Sequence, residues 1–144
     1  MKIKINEGYP DIEIIVNCPQ ITEEINKISS VLKTYDKKLS GTKDGHIYMI
    51  ERQDVFYFES VDKQCFIYTA KDTYETSLKL YEIEEHLSDM GFIRSSKSQI
   101  INIAKITSLC PDFGGRIEAV MENGEKLIIS RQYSKLLKER LGLV

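Results

Sequence analysis

The chain has 144 residues, near the usual size of one domain, so one main domain with a small attachment is expected. Its 20 Lys plus Arg against 22 Asp plus Glu give a formal net charge of −2, which excludes a uniformly basic polyanion binder but leaves open a basic face on an acidic body. No apolar run approaches the roughly 18 residues of a membrane span, and Met1 to Asn6 lacks a signal peptide's apolar stretch, so a cytoplasmic protein without membrane insertion is expected.

In chain order, Lys2 to Asn6 alternates with Ile3 and Ile5 on one face, and Ile12 to Val16 is a β-branched run. With Tyr9-Pro10-Asp11 between them, the pair predicts a short hairpin. Ile21, Ile25, Ile28, Val31 and Leu32 follow helical spacing, with Glu23 and Glu24 where negative charge suits a helix start. The polar stretch 36–45 reads as a linker. Strands are then predicted at Ile47 to Glu51, Val55 to Glu59, Phe66 to Ala70 and Tyr74 to Ser77, with residues 61–64 as a hairpin tip.

Leu80, Ile83, Leu87 and Met90 return to helical spacing, and Gly91 sits where a C-terminal cap belongs. Ile100 to Ile106 predicts one strand. Arg116 to Met121 and Lys126 to Ile129 form a hairpin around Asn123-Gly124, the strongest local turn signal in the chain. Ser130 is placed to cap a last helix bearing Leu136, Leu137 and Leu141. The fold class is therefore mainly β with a few helices (α+β), divided into an extension over 1–40 and a main domain over 41–144.

Cys18, Cys65 and Cys110 are odd in number and far apart, which indicates neither a disulfide framework nor a zinc site. His46 and His86 are isolated, so no metal site and no cofactor are expected. No glycine-rich phosphate loop, G-x-S-x-G or H-E-x-x-H occurs, and Gly114-Gly115 reads only as a turn. An enzyme is not indicated. The charge is unevenly spread, at −6 over residues 1–90 and +4 over 91–144.

Two polar runs set against apolar strands stand out in the basic part: Gly91 to Asn102, containing Arg94-Ser95-Ser96-Lys97-Ser98, and Asn123 to Tyr133, closing on Ser130-Arg131-Gln132-Tyr133. Together with Asp54-Val55-Phe56-Tyr57-Phe58-Glu59 and Lys105-Ile106, in this order over about a hundred residues, they make residues 41–144 resemble the LytTR-type DNA-binding domain. That is the output module of bacterial LytR/AgrA-type response regulators, here in stand-alone form. Ser96-Lys97 replaces the His-Arg or His-Asn common at this place, which alters the expected base preference.

The resemblance implies an elongated arrangement of small antiparallel β-sheets with a helix. It also implies a transcriptional regulator binding double-stranded promoter DNA, with loops entering major grooves of a tandem-repeat site. By position it makes Lys97, Arg131, Gln64 and Cys65 base contacts, and Lys63, Arg94, Ser96, Ser98 and Tyr133 phosphate contacts. Lys or Arg donors suit the guanine O6 and N7 acceptors, and Gln suits adenine. From the residues alone, Arg131 can equally pair with Glu125 or Glu139, and Asn102 reads as a structural amide. Phe56, Tyr57, Phe58, Phe66 and Tyr68 read as core rather than as base-stacking platforms.

Residues 1–40 are far shorter than the α/β unit of a receiver domain, so control by phosphorylation within the chain is not expected. Their apolar stripe needs a cover, which is either a homodimer or regulatory protein partner, or the chain's own main domain. A β-rich protein-protein interaction module that does not bind DNA is the alternative.

Overall fold

From Leu39 onward the chain is a succession of short strands, because β-branched and aromatic residues alternate with polar ones between tight turns. The computed structural model describes residues 1–35 and 38–143, with residues 33–35 described by backbone alone. Helix α1 spans Glu23–Tyr35. Five strands follow: β1 (Leu39–Lys43), β2 (His46–Ile50), β3 (Val55–Val61), β4 (Gln64–Thr69) and β5 (Thr73–Thr76). Helix α2 (Leu80–Leu87) leads to β6 (Phe92–Ser96), β7 (Gln99–Asn102), β8 (Ile106–Pro111), β9 (Ile117–Met121), β10 (Lys126–Ile129) and helix α3 (Arg131–Arg140).

Seven strands form one antiparallel sheet in the order β2-β1-β5-β4-β3-β7-β6, and three form a second in the order β10-β9-β8. The larger sheet is covered on both faces around β3 and β7, while β2 at its edge is largely exposed. Val55, Phe58, Ile67 and Ile100 meet Leu80, Ile83 and Leu87 of α2 on one face. On the other, Phe56, Tyr57, Ile93 and Ile101 meet the small sheet through Ile117, Ala119, Met121 and Ile129, with Leu137 of α3. A register shift between Val55 and Tyr57 lets the consecutive Phe56 and Tyr57 enter the same core, as a bulge does. The two sheets are also joined by the Tyr57 hydroxyl, which donates to Glu125 at 2.5 Å.

Four sequence expectations are corrected. Residues 1–22 form no strand and are exposed throughout, so the 1–16 hairpin is not formed here. A lone two-stranded hairpin gains too little burial to hold itself. The linker expected over 36–45 is largely β1, apart from residues 36 and 37, which lie outside the described residues. Buried Gly41 lets β1 lie close to Tyr74 of β5, where an added Cβ would stand 2.6 Å from the Tyr74 Cβ.

The single strand expected at Ile100 to Ile106 is divided between the two sheets by a turn at Ile103–Lys105. Asn102 makes that turn: its Nδ2 donates to the Val55 carbonyl at 2.9 Å and its Oδ1 accepts from the Ala104 amide at 3.1 Å. The buried amide is structural, as its sequence context indicates. Ser130 stands at the α3 start, but its hydroxyl makes no capping bond. The α2 helix agrees with expectation, ending through a short 3-10 turn at Gly91 with φ of 83°. No helix among the described residues is long and apolar enough to cross a membrane.

Candidate nucleic-acid interface

Two hairpin tips and one strand-to-helix junction lie at the same end of the larger sheet. The β3–β4 hairpin turns through Asp62 and Lys63, both with positive φ (51° and 67°), the backbone of a tight two-residue hairpin. The β6–β7 hairpin turns through Lys97-Ser98. Because β3 pairs antiparallel with β7, the two tips are neighbours, and the Ser60 amide donates to the Ser98 carbonyl at 2.8 Å. At the outer side of β6, the Ser130 amide donates to the Ser95 carbonyl at 2.8 Å, which sets Arg131 at the same end. Gln64, Lys97 and Arg131, about 70 residues apart from first to last, are thereby placed in one row.

An open groove of about 510 Å³ runs between the two tips and the start of α2. Its lining carries Lys63, Lys79, Arg94 and Lys97 against the single carboxylate Glu75. This is the local positive field that a net charge of −2 conceals. Lys79 was not singled out by sequence reasoning. Its signal is its position just before Leu80, at the mouth of α2, opposite the two hairpins.

Among the described residues, the side-chain nitrogens of Lys63, Lys97 and Arg131 have no ion-pair or hydrogen-bond partner. The pairing of Arg131 with Glu125 or Glu139 that the residues alone allowed is thus not made. The stem of Arg131 instead lies over Gly115, whose backbone is left-handed (φ 82°) and whose added Cβ would approach Arg131 Cγ to 3.2 Å. Gly114-Gly115 is therefore the loop against which Arg131 is steadied.

Arg94 is differently disposed. Its guanidinium is paired with Glu84 of α2 and donates to the Lys97 carbonyl at 2.6 Å. It bridges the helix to the hairpin tip. Ser96 closes the same tip by accepting the Ser98 amide at 3.2 Å, while the Ser98 side chain is exposed. Tyr133 is half-buried against the core shared by the two sheets.

Gln64 is exposed, but Cys65 beside it is only 5% exposed and packs in the α2-side core. Alternation along β4 explains the difference, since successive side chains point to opposite faces. Burial pushes the Cys65 thiol up to about 11, so it stays protonated at neutral pH. The base contact expected of Cys65 does not fit a side chain buried in the core, whereas Gln64 stands exposed at the tip. The aromatic residues agree with a packing role: Phe56, Tyr57 and Phe58 are buried, and Tyr57 stacks on Tyr68 with ring centroids 4.3 Å apart.

Two antiparallel sheets that hold cationic and amide side chains at hairpin tips and at a helix start define a sheet-scaffolded nucleic-acid-binding module. The profile of the LytTr DNA-binding domain matches residues 45–142, and this chain belongs to that family. The LytTr DNA-binding domain of a methyl-accepting/DNA response regulator from Bacillus cereus superposes with a TM-score of 0.71 at 25% identity, covering 74% of this chain and 98% of that one.

Proteins of Staphylococcus aureus strains NCTC 8325 and COL, described as uncharacterised HTH-type transcriptional regulators, are 30% identical over 145 residues, covering 99% of this chain and 98% of theirs. The helix-turn-helix of that description has no counterpart among the described residues. Strands separate each of the three helices from the next.

Proposed function

We propose that this protein is a transcriptional regulator that binds specific duplex DNA in promoter regions through the row of tips at one end of its larger sheet. The observation that carries the reading is the alignment of Gln64, Lys97 and Arg131 by the Ser60–Ser98 and Ser95–Ser130 backbone bonds, with both cations unpaired. Strands lie about 4.8 Å apart, so the two hairpin tips are about 10 Å from centre to centre, which suits a major groove about 12 Å wide.

Lys97 and Arg131 are the guanine readers and Gln64 the adenine reader. Lys63, Lys79, Ser98 and Tyr133 contact phosphates, which fix register without reading sequence. Ser96 and Arg94 act one step back, Ser96 by closing the Lys97 turn and Arg94 by tying that turn to α2. Two copies occupy a tandem-repeat site, as the family resemblance implies.

The test is fluorescence anisotropy on a labelled duplex from upstream of the protein's own gene, against a scrambled duplex, with salt varied. Binding by the proposed phosphate contacts falls steeply as salt rises, whereas an apolar protein interface changes little. Arg131→Ala is expected to cost about 1–3 kcal/mol at one base pair and to relax specificity there. An equal loss on every duplex would make Arg131 a phosphate contact.

A further inference from the structure

Phe113 is 86% exposed, more than any other large apolar side chain beyond residue 22 among the described residues. A single exposed ring is ordinary on a protein surface, so its place and its bracing decide what it does.

Phe113 sits in the turn that joins β8 to β9. Pro111 pairs with Ile117 across that turn, and Ile117 pairs with Ile129, the last residue of β10. The turn therefore lies beside Ser130 and Arg131. The bond from the Ser130 amide to the Ser95 carbonyl puts it at the end of the molecule that also carries the two hairpin tips. The row of Gln64, Lys97 and Arg131 thus gains a fourth member, and that member is apolar.

The turn is built to keep the ring out. The Asp112 amide donates to the Arg116 carbonyl at 2.8 Å. The Arg116 guanidinium returns over the loop, its Nε donating to the Phe113 carbonyl at 3.1 Å and its Nη2 standing 3.8 Å from the Asp112 carboxylate. Gly114 and Gly115 both have left-handed backbones, at φ 76° and 82°, and the Ser134 hydroxyl of α3 donates to the Gly115 carbonyl at 3.0 Å.

The same Gly115 supports the stem of Arg131. One loop therefore holds both side chains, with Phe113 at most about 7 Å of backbone from the glycine under Arg131. Asp112 and Arg116 are paired with each other inside this loop, so what it offers beside Arg131 is the ring rather than a charge. A loop already fixed loses little freedom on binding.

Phe113 has no donor for a phosphate. In a major groove the apolar group it can meet is the C5 methyl of thymine, and a Phe side chain suits that contact. Base pairs follow one another at about 3.4 Å, so about 7 Å corresponds to about two of them. We propose that Phe113 is a specificity-determining residue that reads a thymine methyl within about two base pairs of the pair read by Arg131. The inference rests on the DNA-binding reading above and adds to it the chemistry of a neighbouring base.

The experiment uses the full chain and the duplex that it enriches from a random-sequence pool. Each thymine is replaced in turn by deoxyuridine, which removes the methyl and keeps the base pair, and affinity is read by fluorescence anisotropy. The wild type is expected to lose about three- to fivefold at one thymine, the factor that withdrawing a methyl from water supplies. That thymine is expected within about two base pairs of the position where Arg131→Ala relaxes specificity. Phe113→Ala is expected to bind the parent duplex about three- to tenfold more weakly and to be indifferent to the same replacement. Phe113→Leu is expected to keep part of both effects. Thermal unfolding is the folding control, expected to be unchanged because the ring is exposed.

A wild type indifferent to every thymine methyl overturns the proposal, as does a Phe113→Ala variant that still senses the methyl. A loss in Phe113→Ala that is equal on every duplex and comes with reduced DNA bending also overturns it, and makes the ring a minor-groove wedge. A wild type that enriches no duplex overturns the DNA-binding reading and this proposal with it, a result distinct from methyl indifference on an enriched duplex.

Discussion

Glu84→Gln separates two roles for Arg94, because they predict changes of opposite sign. If proximity to DNA were all that mattered, removing a carboxylate beside a cationic groove would strengthen binding to a polyanion. In the structure, Glu84 instead anchors the guanidinium whose other nitrogen holds the Lys97 carbonyl at 2.6 Å. The Glu84 side chain is 49% exposed and that of Arg94 17%, so the pair belongs near the upper end of the surface range, about 0.5–1 kcal/mol.

If that free energy orders the Lys97 tip before DNA arrives, losing it weakens specific binding about two- to fivefold. The assay is anisotropy on the cognate duplex and on a duplex changed at the base pair read by Lys97. The variant is expected to lose affinity on the first and little on the second. Unchanged or tighter binding by Glu84→Gln would refute the positioning role and return Arg94 to the phosphate contacts. Arg94→Lys provides the complement: it keeps the charge, loses the bridge, and is expected to behave like Glu84→Gln.

Two further outcomes concern stability. Gly41→Ala would place a Cβ 2.6 Å from Tyr74 Cβ and 2.9 Å from Ile50 Cδ1. Ile50 can rotate away but a Cβ atom cannot, so overpacking of about 1–3 kcal/mol is expected, read as a fall in Tm of about 3–10 °C. The second outcome is alkaline sensitivity. Cys65 rises from 9.0 to about 11 on folding, so its contribution is whole below pH 9 and lost as pH passes through 11. Tyr57 and Tyr68, both raised chiefly by burial, act in the same direction. The urea midpoint is expected to fall between pH 9 and 11, and to fall less in Cys65→Ala. Equal falls would show that the thiol is not part of the effect.

Much of the strand order was legible because it rests on local chemistry. Asn123-Gly124 can turn a tight hairpin, Gly91 can take the left-handed cap after α2, and Val55 to Phe58 can fill two faces of a sheet. Where local composition and tertiary setting disagreed, composition misled. Leu39-Ser40-Gly41-Thr42-Lys43 reads as linker, yet it is a strand between β2 and β5, because only glycine permits the approach of Tyr74. Ile100 to Ile106 reads as one strand, yet the buried Asn102 amide ends it and sends the chain to the second sheet.

The site divides along the same line. Lys97 and Arg131 were singled out as candidates from the order of motifs along the chain, which is local information. That their nitrogens are unpaired, that Cys65 faces the core while Gln64 faces out, and that Lys79 and Arg94 share a groove with both hairpins are consequences of long-range pairing. The sequence by itself determined the α+β class, the Asn123-Gly124 and residue 61–64 hairpin turns and the family, because turn chemistry and alternation act over a few residues. Only the tertiary structure decided which cations stand together and which are spent on internal bonds, because the pairing of β3 with β7 joins residues about 40 apart in the chain.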